Sequence, residues 1–304
     1  MIGAARRALA GSSRAAALGL ALLAGGQAEA RCEGHVPQAK PQNVGRDVVG
    51  ASLDEIVERG FLDVVLYEDH RPWSFEEGGE VRGVDAEIAR LIADELAVEA
   101  RLRLVAADET LDADLRNWVW RGPIVGGRVA NLMLHVPYDS ELTCRIEQVV
   151  FTGLYHTERM GLAYAEDAFE EAPLPGSFRT REVGVENHAM ADFYLSSLMG
   201  GQMRENVVRY PSTDAAMDAL ASGEVPAVMG PLSQLEGALS DGLAVHAPPL
   251  PAFGRGEWIV GGAVHQAYRP LGYAVEDAIA AGLADGRIAA IFEAWGLSHA
   301  APEW

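Results

Sequence analysis

The chain has 304 residues, of which 44 are Asp or Glu and 24 are Lys or Arg, and its formal net charge is −20. A surface this acidic argues against nucleic acid and anionic membranes as partners, because both recruit proteins through basic patches. The hydrophobic share of 49% is enough to build a sizeable core and argues against disorder. Two cysteines are too few for a disulfide scaffold or a Cys-rich zinc module.

The N-terminus has the pattern of a secretory signal peptide. Three arginines form a positively charged start, residues 15–24 form an apolar run too short to span a bilayer, and Ala-Glu-Ala at 28–30 offers a small-x-small cleavage site. We therefore expect residues 1–30 to be removed during export to the periplasm. The alternative is an uncleaved N-terminal helix.

The residues after the signal peptide begin with a polar, Pro-containing lead-in at 31–50. No later stretch is long and apolar enough for a membrane helix, so we expect no membrane insertion after cleavage. An oxidising compartment would permit a disulfide between Cys32 and Cys144, and two free thiols are equally compatible with the sequence.

Strand-like and helix-like segments alternate along the rest of the chain. Strands are predicted at 61–67, 101–105, 129–136, 148–151, 160–164, 182–186, 206–210, 225–229 and 258–265. Helices are predicted at 86–96 with Asp85 as cap, 190–198, after Ser212 or Thr213, 270–284 and 286–295. This alternation implies parallel-rich sheets between helices, and two successive sets imply two lobes. Ligands bind such sheets at the carboxyl ends of strands, here in the cleft between lobes. Trp118 and Trp120 are predicted on one face of a strand, as packing residues.

Four stretches follow one another in a recognisable order: 68–85, with Pro72, Trp73, Phe75, Gly83 and Asp85 in sequence; 149–163; 183–195 with 207–230; and 284–297. Together they resemble the family 3 extracellular solute-binding proteins, which include periplasmic amino-acid receptors. The resemblance implies an α/β, two-lobed periplasmic-binding-protein fold of type II. Lobe one would comprise 51–154 and 248–304, and lobe two 155–247. It also implies hinge closure on a small molecule and delivery to an ABC-type permease.

The residues that hold amino acids in that family are missing or displaced here. The family uses an Arg and a Gly-Thr pair for the ligand carboxylate and an Asp for the amino group. The Gly-Thr position matches His188-Ala189, and the Asp position matches Pro231. A buried ammonium without its carboxylate would cost on the order of several kcal/mol. We therefore expect an anionic or planar ligand other than an ordinary α-amino acid.

Two short stretches, 132–137 (LMLHVP) and 229–232 (MGPL), resemble solute-binding-like proteins associated with quinoprotein (PQQ-dependent) alcohol dehydrogenases. This resemblance implies an accessory role beside such a dehydrogenase or its cytochrome as the alternative to transport. A few proteins of the fold catalyse dehydration, but no catalytic motif or paired acid–base set is present, so we predict no enzyme. We also predict no cofactor, no metal site and a monomer.

Four predicted ligand-binding residues come from lobe one and from the segment that crosses between lobes. Trp73 follows the first strand, where an aromatic ring can stack on a planar ligand. His135 and Tyr138 flank the end of a predicted strand, the edge at which ligands bind. Tyr155 lies in the crossing segment and can face the cleft. Packing at the lobe edge is the alternative for Trp73, and packing in a loop is the alternative for His135.

The other four predicted ligand-binding residues are suited to an anion. Arg145 and Arg159 can hold a carboxylate with two parallel hydrogen bonds. Asn187 and His188 precede a predicted helix start, where free backbone N–H groups favour anions. Ion pairs on an acidic surface are the alternative for the two arginines.

Overall fold

The structure is a computed structural model that describes residues 49–125, 127–138, 140–254 and 256–303. The predicted signal peptide, most of the lead-in and Cys32 lie outside these ranges. Cys144 is disulfide-bonded, so the alternative in which it remains a free thiol is wrong. Within the described ranges, no helix has the length and apolar character needed to cross a membrane.

The described residues form a mixed α/β fold. The strands are β1 Phe61–Tyr67, β2 Phe75–Glu77, β3 Glu80–Arg82, β4 Glu99–Val105, β5 Leu132–Tyr138, β6 Val149–Ala165, β7 Val183–Glu186, β8 Val207–Tyr210, β9 Ala227–Pro231, β10 Leu243–His246 and β11 Glu257–His265. The α-helices are α1 Leu53–Arg59, α2 Val84–Glu95, α3 Leu111–Leu115, α4 Ser140–Arg145, α5 Met190–Gly201, α6 Thr213–Ala221, α7 Leu232–Gly237, α8 Arg269–Ala284 and α9 Arg287–Ala294.

One sheet runs through both lobes in the order β4-β1-β5-β11-β6-β9-β7-β8, with β10 beside β6. The pairs β4–β1–β5 and β9–β7–β8 are parallel, whereas the pairs in the middle of the sheet are antiparallel. The α/β, two-lobed prediction is therefore confirmed. The lobe boundaries remain a prediction, and the one at 154/155 falls inside β6.

The longest strand, β6, joins the two halves of the sheet. We predicted two separate strands at 148–151 and 160–164, which is wrong, because β6 is continuous over 17 residues. Its first part pairs with β11, and its later part pairs with β9 and β10. Because β6 pairs with different strands along its length, this one strand continues from the first lobe into the second.

Helix α2 begins one residue before its predicted cap. Gly83 occupies the N-cap position at φ 116°, and a Cβ there would lie 2.2 Å from the carbonyl oxygen of Trp73, so only glycine fits. Asp85 is thereby inside the first turn and completely buried, and its predicted capping role is wrong. The Ser212 cap of α6 is confirmed, because its hydroxyl accepts a hydrogen bond from the Ala215 N–H at 3.1 Å.

Each lobe has its own apolar core. In lobe one, β1, α2, α8 and α9 enclose a cluster that includes Ile88 and Phe292, and in lobe two a cluster around Phe178 lies between α5 and the sheet. Trp118 and Trp120 pack against a further cluster, but they belong to a π-helical turn at Arg116–Trp120. The predicted strand is therefore wrong at this position, whereas the packing role is right.

Candidate functional site

The cleft lies where the carboxyl ends of β1, β7 and β9 face one another. Two adjoining cavities fill it. The first, of about 300 Å³, is lined by Tyr67, Glu68, Asp69, His70, Ala107, Glu186, Ser212, Thr213, Asp214 and Gln234, and we call it the acidic chamber. The second, of about 290 Å³, is lined by His70, Met160, Glu186, 189–191, Thr213, 229–231 and Gln234, and we call it the methionine chamber. Four shared lining residues make the two chambers parts of one cleft.

The acidic chamber concentrates negative charge. Its described lining holds the carboxyl groups of Glu68, Asp69, Glu186 and Asp214 and no Lys or Arg. Burial raises the pKa of Asp214, and the nearby carboxylates of Asp218 and Glu186 add to this rise against the opposing effect of Arg71. Negative groups that disfavour one another's charge favour a positive ligand between them.

Glu186, which lines the cleft, forms hydrogen bonds with the first residue of α6. Its Oε2 accepts hydrogen bonds from the Thr213 hydroxyl at 2.9 Å and from the Thr213 N–H at 3.2 Å. The positive end of this helix is therefore already paired with a carboxylate of the protein.

His70 borders both chambers. The loop that carries it is held by reciprocal backbone hydrogen bonds between His70 and Ser74 of 2.9 and 2.8 Å. Burial and the neighbouring His135 hold the pKa of His70 well below its ordinary value, so its imidazole is neutral at neutral pH. Its Nδ1 is buried and has no hydrogen-bond partner. Sequence reasoning missed His70, although its position three residues after β1 is a signal that could have found it.

A buried polar network lies behind this wall of the cleft. The Tyr155 hydroxyl donates a hydrogen bond to Asp85 Oδ1 at 2.6 Å and accepts one from the His135 N–H at 3.2 Å. Burial, and next the carboxyl group of Asp85, raise the pKa of Tyr155 well above its ordinary value. His135 Nδ1 lies 3.1 Å from Asp85 Oδ2, although the two atoms do not have hydrogen-bond geometry. The Trp73 ring packs 4.5 Å from that of His135.

The structure thus brings three predicted site residues together, but not in the cleft. Trp73 and Tyr155 are completely or almost completely buried, and neither they nor His135 line either chamber. The packing alternative given for Trp73 and His135 describes their positions in this structure. Tyr138 is also away from the chambers, with its ring edge against Phe151 at 6.3 Å.

The two predicted anion-binding arginines lie outside the cleft. Arg145 is exposed and forms an ion pair with Asp112 at 3.3 Å, as the surface alternative anticipated. Arg159 borders a separate cavity of about 420 Å³ together with Glu257 and Trp258. That cavity shares no lining residue with the cleft. Neither arginine therefore adds positive charge to the described lining of the cleft.

The start of α5 borders the cleft, but the two side chains predicted there do not line it. Asn187 and His188 are exposed, whereas the residues that follow them, 189–191, line the methionine chamber. His188 has φ 62°, a left-handed conformation that glycine adopts more readily than histidine. Its N–H donates to Asp192 Oδ2 at 3.1 Å.

No arrangement typical of a metal centre is present among the described residues, where no three His, Cys, Asp or Glu side chains gather as possible ligands.

Comparison with known proteins finds the same fold in solved structures, while no protein-family model and no curated protein match. An ancestral cationic amino acid solute-binding protein, AncCDT-1, matches with a TM-score of 0.67 at 18% identity, over 80% of this chain and 99% of that one. Another structure of AncCDT-1, described as a precursor of cyclohexadienyl dehydratase, matches with a TM-score of 0.58 at 18% identity, over 80% and 99% of the two chains.

The amino acid ABC transporter substrate-binding protein AbpA from Streptococcus pneumoniae, bound to L-arginine, matches with a TM-score of 0.57 at 22% identity, over 80% of this chain and 97% of that one. At these identities the likeness concerns the fold, which is the type II periplasmic-binding-protein fold.

Proposed function

We propose that this protein is a periplasmic solute-binding protein that captures a small organic cation between its two lobes. The observation that carries the proposal is the acidic chamber, where four carboxyl groups and no Lys or Arg belong to the described lining. A cation 4 Å from one carboxylate gains about 4 kcal/mol of Coulomb energy at the effective dielectric constant of a protein surface, before desolvation is subtracted. Several carboxylates around one small cavity favour a cation over a neutral solute.

The proteins with the same fold support this ligand class. AncCDT-1 is described as a cationic amino acid binding protein, and AbpA is bound to L-arginine. AbpA is also described as part of an ABC transporter, which supports delivery of the captured solute to a permease. The predicted signal peptide supports a periplasmic location.

The proposed ligand differs in sign from the anion expected from the sequence. That expectation drew on the missing amino-acid contacts, on the helix start after Asn187 and His188, and on Arg145 and Arg159, of which the two arginines lie outside the cleft. The expectation of a planar ligand is compatible with a cation, because a guanidinium group is planar.

An accessory role beside a quinoprotein dehydrogenase remains the alternative prediction from two short sequence matches. The absence of enzymatic activity also remains a prediction, since one similar structure is described as a precursor of a dehydratase.

Calorimetric titration of the exported chain tests the proposal. We expect guanidinium and alkylammonium compounds to bind and succinate and PQQ to fail. The double variant Glu186→Gln/Asp214→Asn should weaken cation binding at least tenfold. Glu224→Gln is the matched control, because Glu224 bonds the Tyr210 hydroxyl elsewhere in lobe two. Binding of PQQ or a dicarboxylate without cation binding would refute the proposal. No response to any solute, together with copurification of a dehydrogenase, would favour the accessory role.

A further inference from the structure

The residues that follow α9 run from lobe one onto the crossing strand β6. Leu297 is buried in the apolar core of lobe one, and Pro302 is also buried. We call residues 298–303 the strap. The strap forms one wall of the cavity of about 420 Å³ that Arg159 borders. It is therefore packed onto the fold.

Two residues of the strap bind the middle of β6. The Thr157 N–H donates a hydrogen bond to the Ala300 carbonyl oxygen at 2.8 Å, and His299 Nε2 donates one to the Tyr155 carbonyl oxygen at 2.8 Å. The Ala300 N–H donates to His156 Nδ1 at 3.4 Å, and burial lowers the pKa of His156 to about 3, which keeps this nitrogen free to accept. The strap is therefore fixed to the strand that continues from one lobe into the other.

Ser298, the first residue of the strap, connects it to lobe two. Its N–H donates to Glu236 Oε2 at 2.9 Å, and its hydroxyl donates to Glu236 Oε1 at 2.7 Å. Glu236 follows Leu235, which is buried in an apolar cluster with residues of α6, whereas Leu297 before Ser298 is buried in the core of lobe one. Hydrogen bonds to a carboxylate are stronger than those between neutral groups. The Ser298–Glu236 pair therefore links residues that are anchored in different cores.

The lobes also meet beside this pair. Gly237, the next residue of α7, is so close to Pro72 that a Cβ on it would lie 3.0 Å from the proline side chain. The neighbouring cavity of about 380 Å³ is lined by Arg71 and Pro72 from lobe one and by Asp214 and Asp218 from α6. Opposite charges across this gap attract each other. Two segments of lobe one, the loop at 71–72 and the strap, thus meet α6 and α7 outside the chambers.

We propose that the Ser298–Glu236 pair is a latch that stabilises the closed arrangement of the two lobes. Separation of the lobes has to break both hydrogen bonds, because their donors and acceptors belong to different lobes. Neither residue lines either chamber, so both are positioning residues that act through the lobes and not on the solute. The latch favours the closed form by the same factor for every solute. The inference is therefore independent of the sign of the ligand.

Single-molecule energy transfer in the protein without added solute tests the latch. Dyes are placed by Glu109→Cys and Asn187→Cys, because these two residues are exposed and lie beyond the carboxyl ends of β4 and β7, one in each lobe. We expect the closed distance to predominate in the protein with an intact latch. Glu236→Ala removes the acceptor of both hydrogen bonds and should lower the ratio of closed to open molecules about tenfold. A mainly open protein with the latch intact, or an unchanged ratio in Glu236→Ala, would overturn the inference.

Glu55→Ala is the matched control within lobe one. Glu55 also accepts from the N–H and the hydroxyl of a serine, Ser52, at 2.7 and 2.8 Å, but both residues belong to the start of α1. This variant should leave the ratio of closed to open molecules unchanged, and opening equal to that of Glu236→Ala would overturn the inference.

The double variant Ser298→Ala/Glu236→Ala tests whether the two residues act as one pair. Glu236→Ala alone already removes the partner of the Ser298 hydroxyl, so the double variant should open no further than Glu236→Ala. If Ser298→Ala and Glu236→Ala lower the ratio additively, the two residues act separately and the latch is refuted.

Discussion

Removal of one buried hydroxyl group, by Tyr155→Phe, should destabilise the protein more than an ordinary Tyr→Phe change. Tyr155 and Asp85 are both fully buried, and the hydroxyl connects Asp85 Oδ1 at 2.6 Å to the His135 N–H at 3.2 Å. Phenylalanine fills the same space but leaves both groups without this partner. A hydrogen bond to a charged group contributes about 1.5–3 kcal/mol, and an orphaned N–H adds about 1 kcal/mol. We expect a loss of about 2–4 kcal/mol.

Urea unfolding measures this loss, and Tyr194→Phe is the matched control. Tyr194 is also buried, but its hydroxyl donates only to the Pro251 carbonyl oxygen at 3.3 Å, for which we expect a loss of about 0.5–1.5 kcal/mol. The unfolding slope should stay the same in both variants, because the exposed area on unfolding is unchanged. Equal losses in the two variants would show that the Asp85–Tyr155–His135 network contributes nothing special.

Two further changes probe a buried carboxyl group in lobe two and a contact between the lobes. Burial raises the pKa of Glu158, although hydrogen bonds from the N–H groups of Arg159 and Ser233 oppose this rise. The protonated carboxyl group therefore stabilises the folded protein below the ordinary pKa of 4.5, and this stabilisation is lost as the pH rises through the raised pKa. Glu158→Gln should therefore flatten the fall in stability above pH 4.5 in urea titrations, and an unchanged pH profile would contradict this reasoning. Gly237→Ala would place a Cβ 3.0 Å from Pro72 across the lobes and should weaken ligand binding without lowering the melting temperature of the free protein; unchanged affinity would show that this contact does not limit closure.

The sequence predicted those elements whose signals are local. The β-branched run of β1 and the Ser212 cap of α6 lie in a few consecutive residues, and the structure has both. Asp85 shows a limit of predicting a residue's role from its neighbours in the sequence. An aspartate before an amphipathic segment is a good helix cap, yet the residues that engage it, His135 and Tyr155, are 50 and 70 positions away. Only the folded chain brings them together.

The sequence indicated where the candidate site lies, but not which side chains line it. The carboxyl ends of the strands and the start of α5 do border the cleft, as the general rule for open α/β sheets requires. The rule gives no information about which side chains point inward. Arg145 forms an ion pair with Asp112 at the surface instead of entering the cleft. His70 lines both chambers, although no sequence motif surrounds it.

The sign of the ligand depends on how the helix starts beside the cleft are occupied. An unoccupied N-terminus attracts anions through its N–H groups and dipole. Here Glu186 occupies the start of α6, and Asp192 accepts the N–H group just before α5. Asp192 is itself paired with Arg209, so the reversal of the electrostatic preference comes from Glu186 at α6, and Glu68, Asp69 and Asp214 extend the negative charge into the chamber. The strong acidity of the chain and the sign of its cleft therefore agree, but it is the placement of individual carboxylates, not the net charge, that favours a cation.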